Sequence, residues 1–497
     1  MSLDRSLTKK LRDSDRLREF AGNRQAFRDD PYLPRYHLVP PGGLLHDPNG
    51  ALYWNGRYHL FYQFWPPDVS RHRSWSEAMH WGHAVSEDLI HWTDLPVALS
   101  PDGGPENGCF SGQALVEDDR VVLMYFGTEA GNCIATAEGP FLTDVEKHPE
   151  NPVIPLEEGA PYDVFDPCLW RDDGTYYSLS GGLSDGRTAE FLFESANLAD
   201  WAYLGPLIED GYYTDPGEDG AVPNFFELDG SHVLLFFSHT RGPQYYVGEY
   251  DSTDHTFEVE SHGRLNHGPV EHSNLHAPSV LEDGAGRRVA FFNIVEGREN
   301  WAANPGEGWA GVISLPRRLT LSDGDLRVAP VKEVEALRTN HRRIESEHIP
   351  ANEEWVIPDV GGKSLELRAE MAVRDAQEIT LSVLRSPGGE EQTSITYWDA
   401  VDSVGIDTGR STRHPEALAR APEIGPLSLA EGELLDLRVF VDRSVVEVFA
   451  NGRQSLTTRV YPERTDSVGV SVQARRGPAR LESMDVWDMR SIWPPEG

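Results

Sequence analysis

The strongest constraint on how this chain folds is a hairpin unit that recurs five times: a β-rich run, a tight polar turn and a second β-rich run. It reads ALYWNGRYHLFYQF (51–64), ALVEDDRVVLMYFG (114–127), CLWRDDGTYYSLSG (168–181), FFELDGSHVLLFFSH (225–239) and SVLEDGAGRRVAFFNI (279–294). The turns fall near Asn55, Asp118, Asp172, Asp229 and Asp283, a period of about 53 to 64 residues. Asn-Gly and Asp-Gly suit two-residue hairpins because both central positions must accept positive φ. Five such units of blade length predict an all-β, five-bladed propeller, whose radial repetition leaves few exposed strand edges. A sandwich with irregular hairpins is the competing architecture.

The pattern changes after VKEVEALRTNHRR (331–343), which reads as a short helix and linker. From residue 345 onwards, alternating strands follow without the blade period, among them SLELRAEMAV, EITLSVLR, SVGVSVQAR and RLESMDVWDM. The alternation of Leu435, Leu437, Val439 and Val441 gives one buried face, and Asn451-Gly452 marks a further hairpin. The expected organisation is an N-terminal extension over 1–30, a propeller over 31–335 and a β-sandwich over 345–497. In the extension, Leu7, Leu11, Leu17 and Phe20 have the spacing to line a short helix.

Charge excludes several classes of partner. The chain carries 81 acidic against 44 basic residues, a net charge of −37 that repels nucleic acid and anionic membranes. Only five lysines occur (Lys9, Lys10, Lys147, Lys332, Lys363), so nearly all positive charge is arginine. A lysine-poor, carboxylate-rich surface resembles that of proteins from salt-accumulating halophiles, where ionic strength screens self-repulsion. Residues 1–30 carry no apolar run resembling a signal peptide or membrane span, which points to a cytoplasmic protein. Cys109, Cys133 and Cys168 are too few for a disulfide framework and lack zinc spacing, so buried free thiols are expected.

The innermost strand of each propeller blade lines a central funnel where polar residues converge. Just upstream of the hairpins stand Asp47 in LLHDPNG, Ser111 in CFSGQAL and Asp166 in VFDPCLW. The fourth unit offers Glu218 and Asp219 in GEDGAVPNFF, and the fifth offers His276 in NLHAPSV. An isolated Asp before Pro is usually a turn former. Inner-strand carboxylates from three blades are another matter, because converging charges raise at least one pKa, which suits acid catalysis and is costly for structure alone. His46, His80, His83 and His276 are not spaced as a recognisable metal set, and hydrogen-bonding or packing roles are expected of them. No metal or organic cofactor is implied.

These residues resemble glycoside hydrolase family 32, the β-fructosidases that include invertases, levanases and inulinases. LLHDPNG is similar to that family's Trp-Met-Asn-Asp-Pro-Asn-Gly motif. YQFWPP (62–67), MHWGHAVSEDLIHW (79–92), FSG (110–112), GVISLPRRL (311–319) and LRVFVDRSVVEVFANG (437–452) match further stretches, so the resemblance spans roughly residues 34 to 490. It implies a retaining hydrolase acting on sucrose or short fructans, with Asp47 as nucleophile and a covalent fructosyl-enzyme. Asp166 would hold fructose hydroxyls and stabilise the oxocarbenium-like transition state. Trp75 and Phe110 would wall the fructose pocket, while Asn49, Gln63 and Ser111 would hydrogen-bond its hydroxyls.

The chain also departs from the family. His46 replaces the Asn before the nucleophile, Leu44 replaces the Trp, and Phe165 stands where an Arg precedes Asp-Pro. The Glu-Cys-Pro acid motif reads Ala221-Val222-Pro223, so the expected acid position is alanine. Asp219 shares strand parity with Ala221, whereas Glu218 has the family's residue type and a longer reach, with Gly217 and Gly220 giving freedom for a bulge. Residue type and reach favour Glu218. Beside hydrolysis stand two further readings: a fructosyltransferase using a sugar hydroxyl as acceptor, and a fructoside-binding protein that has lost its acid.

Overall fold

The computed structural model describes residues 15–67, 74–101, 103–184, 186–208, 213–268, 273–299, 308–373 and 375–493. Five sheets, each built on four successive antiparallel strands, account for the first part. Their innermost strands are Gly43–Trp54, Cys109–Val116, Cys168–Asp172, Ala221–Leu228 and Leu275–Glu282. The tight turns form for the reason their residues suggest. Asn55-Gly56, Asp173-Gly174 and Asp229-Gly230 all have positive φ at both positions, as two-residue hairpins demand. The third turn therefore centres one residue beyond Asp172. The second and fifth hairpins use longer loops; in the fifth, the Asp283 carboxylate accepts from the Ala285 and Arg287 amides.

After the fifth blade's second strand the chain returns to the first blade, where Trp309–Ala310 pairs in parallel with Gly43–Leu44. Sheet faces bury their apolar residues against neighbouring blades. Leu52, Phe61, Trp81 and Tyr125 pack between blades one and two. Leu169, Phe191 and Phe193 meet Val122 and Met124 between two and three.

Two packed sheets of seven and six strands form the second part. The segment expected as helix and linker is instead a 3-10 turn, Lys332–Leu337, followed by the strand Arg338–Ile344, which pairs with the final strand Ala479–Met489. Its Arg, Asn and His side chains conceal the strand, because they occupy an edge that faces water and ion-pairs with Asp485 and Asp488. The expectation of a single buried face also needs correction. Leu435, Leu437, Val439 and Val441 fill the sandwich core. Their neighbour Phe440, with Val445 and Phe449, belongs to the core shared with the propeller.

That shared face explains the VDRSVVEVF stretch. His37 is buried between two acids, with Nδ1 2.8 Å from Asp442 Oδ2 and Nε2 3.0 Å from Glu447 Oε1. Asp442 also accepts from the Arg35 and Tyr36 amides. Glu447 accepts from the Leu315 amide at 2.8 Å and from Arg317 Nη2 at 2.6 Å. The motif thus clamps the sandwich onto the chain entering blade one and onto blade five. In the extension, Asp15–Ala26 is helical and buries Phe20 against Phe64. Leu7, Leu11 and the Leu17 side chain lie outside the described residues. The three cysteines are buried and free. Among the described residues no helix is long and apolar enough to cross a membrane.

Burial alone would depress the His37 imidazole, but its bonds to Asp442 and Glu447 raise it to about 9. A raised folded-state pKa contributes stability that is complete below the unfolded value of 6.5 and is lost as pH rises through about 9. His37→Ala, which leaves buried Asp442 without its cation while Glu447 keeps Arg317, is expected to cost about 3–5 kcal/mol. Denaturant melts of the two proteins across pH 6 to 10 should show this gap narrowing over that window; a constant gap would contradict the assignment.

Candidate active site

Four of the five innermost strands carry a register break near their start. The breaks lie between Leu45 and Pro48, Cys109 and Gly112, Ala221 and Asn224, and Leu275 and Pro278. Such bulges bend a strand and re-aim its side chains. Inside them stand His46 and Asp47, Phe110 and Ser111, Val222 and Pro223, and His276 and Ala277. In blade three the bend comes just before the strand, at Asp166, whose φ of 42° is a left-handed conformation that Asp tolerates better than most residues. Val222 also has a positive φ, 49°, which for a β-branched residue is strain, and its backbone bonds Asp166. Irregular positions in blades one, two, three and five therefore deliver polar groups to a common centre, whereas the blade-four bulge holds Val222 and Pro223.

Asp47 is the best supported of them. Ser111 Oγ donates to its Oδ2 at 2.7 Å, and Gln63 Nε2 donates to Ser111 Oγ at 2.7 Å. Fully buried Asn49, its amide turned to satisfy both ends, accepts from the Gln63 amide at 3.1 Å and Trp81 Nε1 at 3.3 Å. Asn49, Gln63 and Ser111, expected to meet sugar hydroxyls, thus form a chain that fixes Asp47. His46 Nδ1 lies 2.8 Å from the other oxygen, Oδ1, and His276 Nδ1 lies 3.8 Å from it, neither as an aligned hydrogen bond. Burial would raise the Asp47 carboxyl, yet the charge of His46 and the contact with His276 hold it well below the ordinary carboxylate range. Asp166 goes the other way. Burial first, then repulsion from Asp47 and Asp219, push it up to about 8, with His239 pulling back.

Aromatic rings encircle these acids. Trp75 meets His46 edge-on at 5.2 Å, His46 meets His276 at 5.3 Å, and His276 lies 6.2 Å from His239. The collar continues from His239 to Phe165 at 6.2 Å, Phe126 at 5.6 Å and Phe110 at 6.2 Å. Trp75 and Phe110 then pack against one apolar cluster with Leu44, Trp65 and Ala310. Every blade contributes a ring, Trp75 and Phe110 among them.

Glu218 and Asp219 separate clearly. Glu218 is buried away from the collar, bonded by Gln244 Nε2, by the Asp215 amide at 2.9 Å and by Arg264 Nη2 at 3.3 Å. Asp219 instead meets His239, a collar residue, with Nδ1 2.6 Å from Oδ2 and the amide 2.9 Å from Oδ1. Geometry thus favours Asp219 over Glu218, reversing the preference drawn from residue type and reach. Strand parity does not decide it either, because the strand begins only at Ala221. A Cβ on Gly220 would lie 2.8 Å from Glu190 Oε1, so a side chain there would have to displace that buried carboxyl, which burial raises to about 8.

Sequence reasoning missed His239. The one available signal was its place at the end of blade four's second strand, after FFS, where a polar residue breaks an apolar run. The histidines previously grouped together also divide. His46 and His276 join Asp47 as a group whose ligand atoms lie within 4.8 Å of one another. His83 instead stacks on Phe61 and bonds His59, and His80 Nδ1 contacts the Ala78 carbonyl.

Residues 37–330 match the glycosyl hydrolases family 32 N-terminal domain, and residues 333–488 match the family 32 C-terminal domain. The chain belongs to glycosyl hydrolase family 32. It is therefore a glycoside hydrolase. Sucrose-6-phosphate hydrolase of Escherichia coli is 30% identical, over 93% of this chain and 96% of that one. Its counterpart from Bacillus subtilis (strain 168) is 31% identical, over 87% and 90%. The crystal structure of fructan 1-exohydrolase IIa from Cichorium intybus superposes with a TM-score of 0.82 at 23% identity, over 93% of this chain and 98% of that one, a likeness of fold.

Two departures from the family 32 pattern prove to be one. Phe165, in place of Arg, packs on an apolar cluster containing Ala221, in place of Glu, together with Val222, Phe237 and Ala277. His239, which holds Asp219, lies beside this cluster against Phe165 and Phe237.

Asp166 titrates from 3.8 unfolded to about 8 folded, so its contribution to stability is present below about pH 4 and is lost as pH rises toward 8. Asp166→Asn removes that loss. The variant should melt higher than the parent by a margin that grows from pH 5 to 8, while its turnover falls by about 10²-fold or more. Scanning fluorimetry and a fructose-release assay check the two halves; a lower melting temperature at pH 8 would refute the first.

Proposed function

We propose that this family 32 enzyme hydrolyses β-fructofuranosyl bonds of sucrose or short fructans with retention, through a covalent fructosyl-enzyme on Asp47. The observation that carries this reading is the Asp47 carboxylate, kept ionised in a ring-walled funnel and oriented by Gln63 and Ser111. A carboxylate so held is a ready nucleophile. Asp166, which burial and the charge of Asp47 favour in its protonated form, offers both an O–H donor and a carbonyl acceptor to fructose hydroxyls and so positions the ring. The proton for the departing oxygen comes from the Asp219–His239 pair, which shares one between carboxylate and imidazole. Water then enters against the same pair and releases fructose.

Three buried free thiols suit a reducing cytoplasm, where we place the activity on a small sugar. The acidic excess fits a salt-rich interior of the kind halophiles maintain.

Fructose release from sucrose and an inulin oligomer tests the roles. Asp47→Ala should abolish it, and retained turnover would mean the nucleophile lies elsewhere. Asp219→Asn should lower kcat by about 10²–10⁴-fold, with azide raising glucose release from sucrose as it carries the fructosyl group off as fructosyl azide, while His239→Gln lowers kcat more than it changes KM. Glu218→Gln should leave chemistry intact apart from lost stability. Azide rescue of Glu218→Gln alone would return the acid to Glu218. Wild-type protein that binds fructosides without ever releasing fructose would establish the binding-protein reading.

A further inference from the structure

The floor of the funnel holds more donor atoms than a fructosidase nucleophile needs. His46, Asp47 and His276 each present one donor atom within 4.8 Å of the others, and His46 Nδ1 and His276 Nδ1 lie 2.8 and 3.8 Å from Asp47 Oδ1. Each is enclosed, and none has an aligned hydrogen-bond partner. The other Asp47 oxygen is held by Ser111, so Oδ1 is presented in a fixed direction toward the two imidazoles. Neither ring is loosely placed. Phe237 packs on His276 with centroids 3.8 Å apart, and Trp75 meets His46 edge-on. The backbone sets the same arrangement, since His46 and Asp47 share the bulge of blade one and His276 sits in that of blade five.

We propose that His46, Asp47 and His276 form a binding site for a late first-row divalent ion, zinc above all, which excludes the fructoside when bound. Two imidazole nitrogens and one carboxylate oxygen are the ligand set of open tetrahedral zinc sites, with a fourth position left for water. Bonds of about 2.0–2.2 Å to a tetrahedral ion separate neighbouring donor atoms by roughly 3.3–3.5 Å. The spacings from Asp47 Oδ1, 2.8 Å to His46 and 3.8 Å to His276, straddle that value. The two imidazoles, within 4.8 Å of each other, close on an ion by side-chain adjustments of about an ångström. The nitrogen donors select against calcium and magnesium, which prefer oxygen cages. An ion here would neutralise Asp47 and fill the space above it. Ion and sugar would therefore compete, a consequence that rests on the proposed role of Asp47, whereas the ion site itself does not.

Zinc chloride titrated calorimetrically into the full-length, chelator-treated protein should show one site per chain, weakened about tenfold or more in His46→Asn and in His276→Gln. Cobalt(II) added instead should give the intense visible bands of a tetrahedral complex in the wild type and lose them in both variants. Circular dichroism and melting temperature confirm that each variant is folded. Zinc should raise the apparent KM for sucrose and be reversed by EDTA. Absence of a zinc heat, or equal zinc and cobalt binding in wild type and variants, as diffuse association with the acidic surface would produce, overturns the site. Zinc bound there without effect on KM overturns the competition. Failure of the nucleophile reading shows separately, as turnover surviving Asp47→Ala.

Discussion

Repulsion among carboxylates brought together in a partly dehydrated funnel governs how the centre of this molecule is built. Asp47, Asp166 and Asp219 influence one another, and burial makes each charge harder to carry. The fold meets this by giving each acid a different partner. Asp47 has His46 and His276 on one oxygen and Ser111 on the other. Asp219 has the His239 ring and amide. Asp166, whose Oδ1 has no hydrogen-bond partner among the described residues, becomes neutral instead. Three identical side-chain types thereby acquire three electrostatic states.

Holding such a centre needs rigid surroundings. The bulges that aim the site residues come from different blades, so any slip between blades would disperse them. Closure of the ring by Trp309–Ala310 against Gly43–Leu44 works against slippage, as does packing between adjacent sheet faces. The sandwich adds a second restraint through Asp442 and Glu447, which reach the chain just before blade one and the strand region of blade five. Both contact points adjoin blades that supply Asp47 and His276. The sandwich thereby bears on the funnel without contributing a side chain to it.

Much of the fold was legible from local chemistry. Asn55-Gly56 and Asp229-Gly230 specify hairpins because few other residue pairs accept two positive φ angles in succession, and that preference does not depend on the rest of the molecule. The strand Arg338–Ile344 was hidden because its side chains answer to an exposed edge and to acids over 140 residues away. The second buried face of the strand bearing Phe440 was hidden for a similar reason, since only docking to the propeller buries it. In the site, Asp47 stood out through its motif and its place before a hairpin. His239 did not, being one histidine at the end of an ordinary strand.

The sequence alone thus determined the hairpin repeat, its likeness to family 32 and the loss of Glu at position 221, all of which are properties of residues and their neighbours along the chain. Only the tertiary structure decided which of the two acids upstream of Ala221 meets the collar. Glu218 and Asp219 are adjacent, and their chemistry is nearly the same; what separates them is that Arg264 and Gln244 take one inward while His239 holds the other at the collar. It also decided that His46 and His276, 230 positions apart, share one oxygen of Asp47. Both facts depend on side-chain direction across blades, which the backbone bulges set and no local pattern encodes.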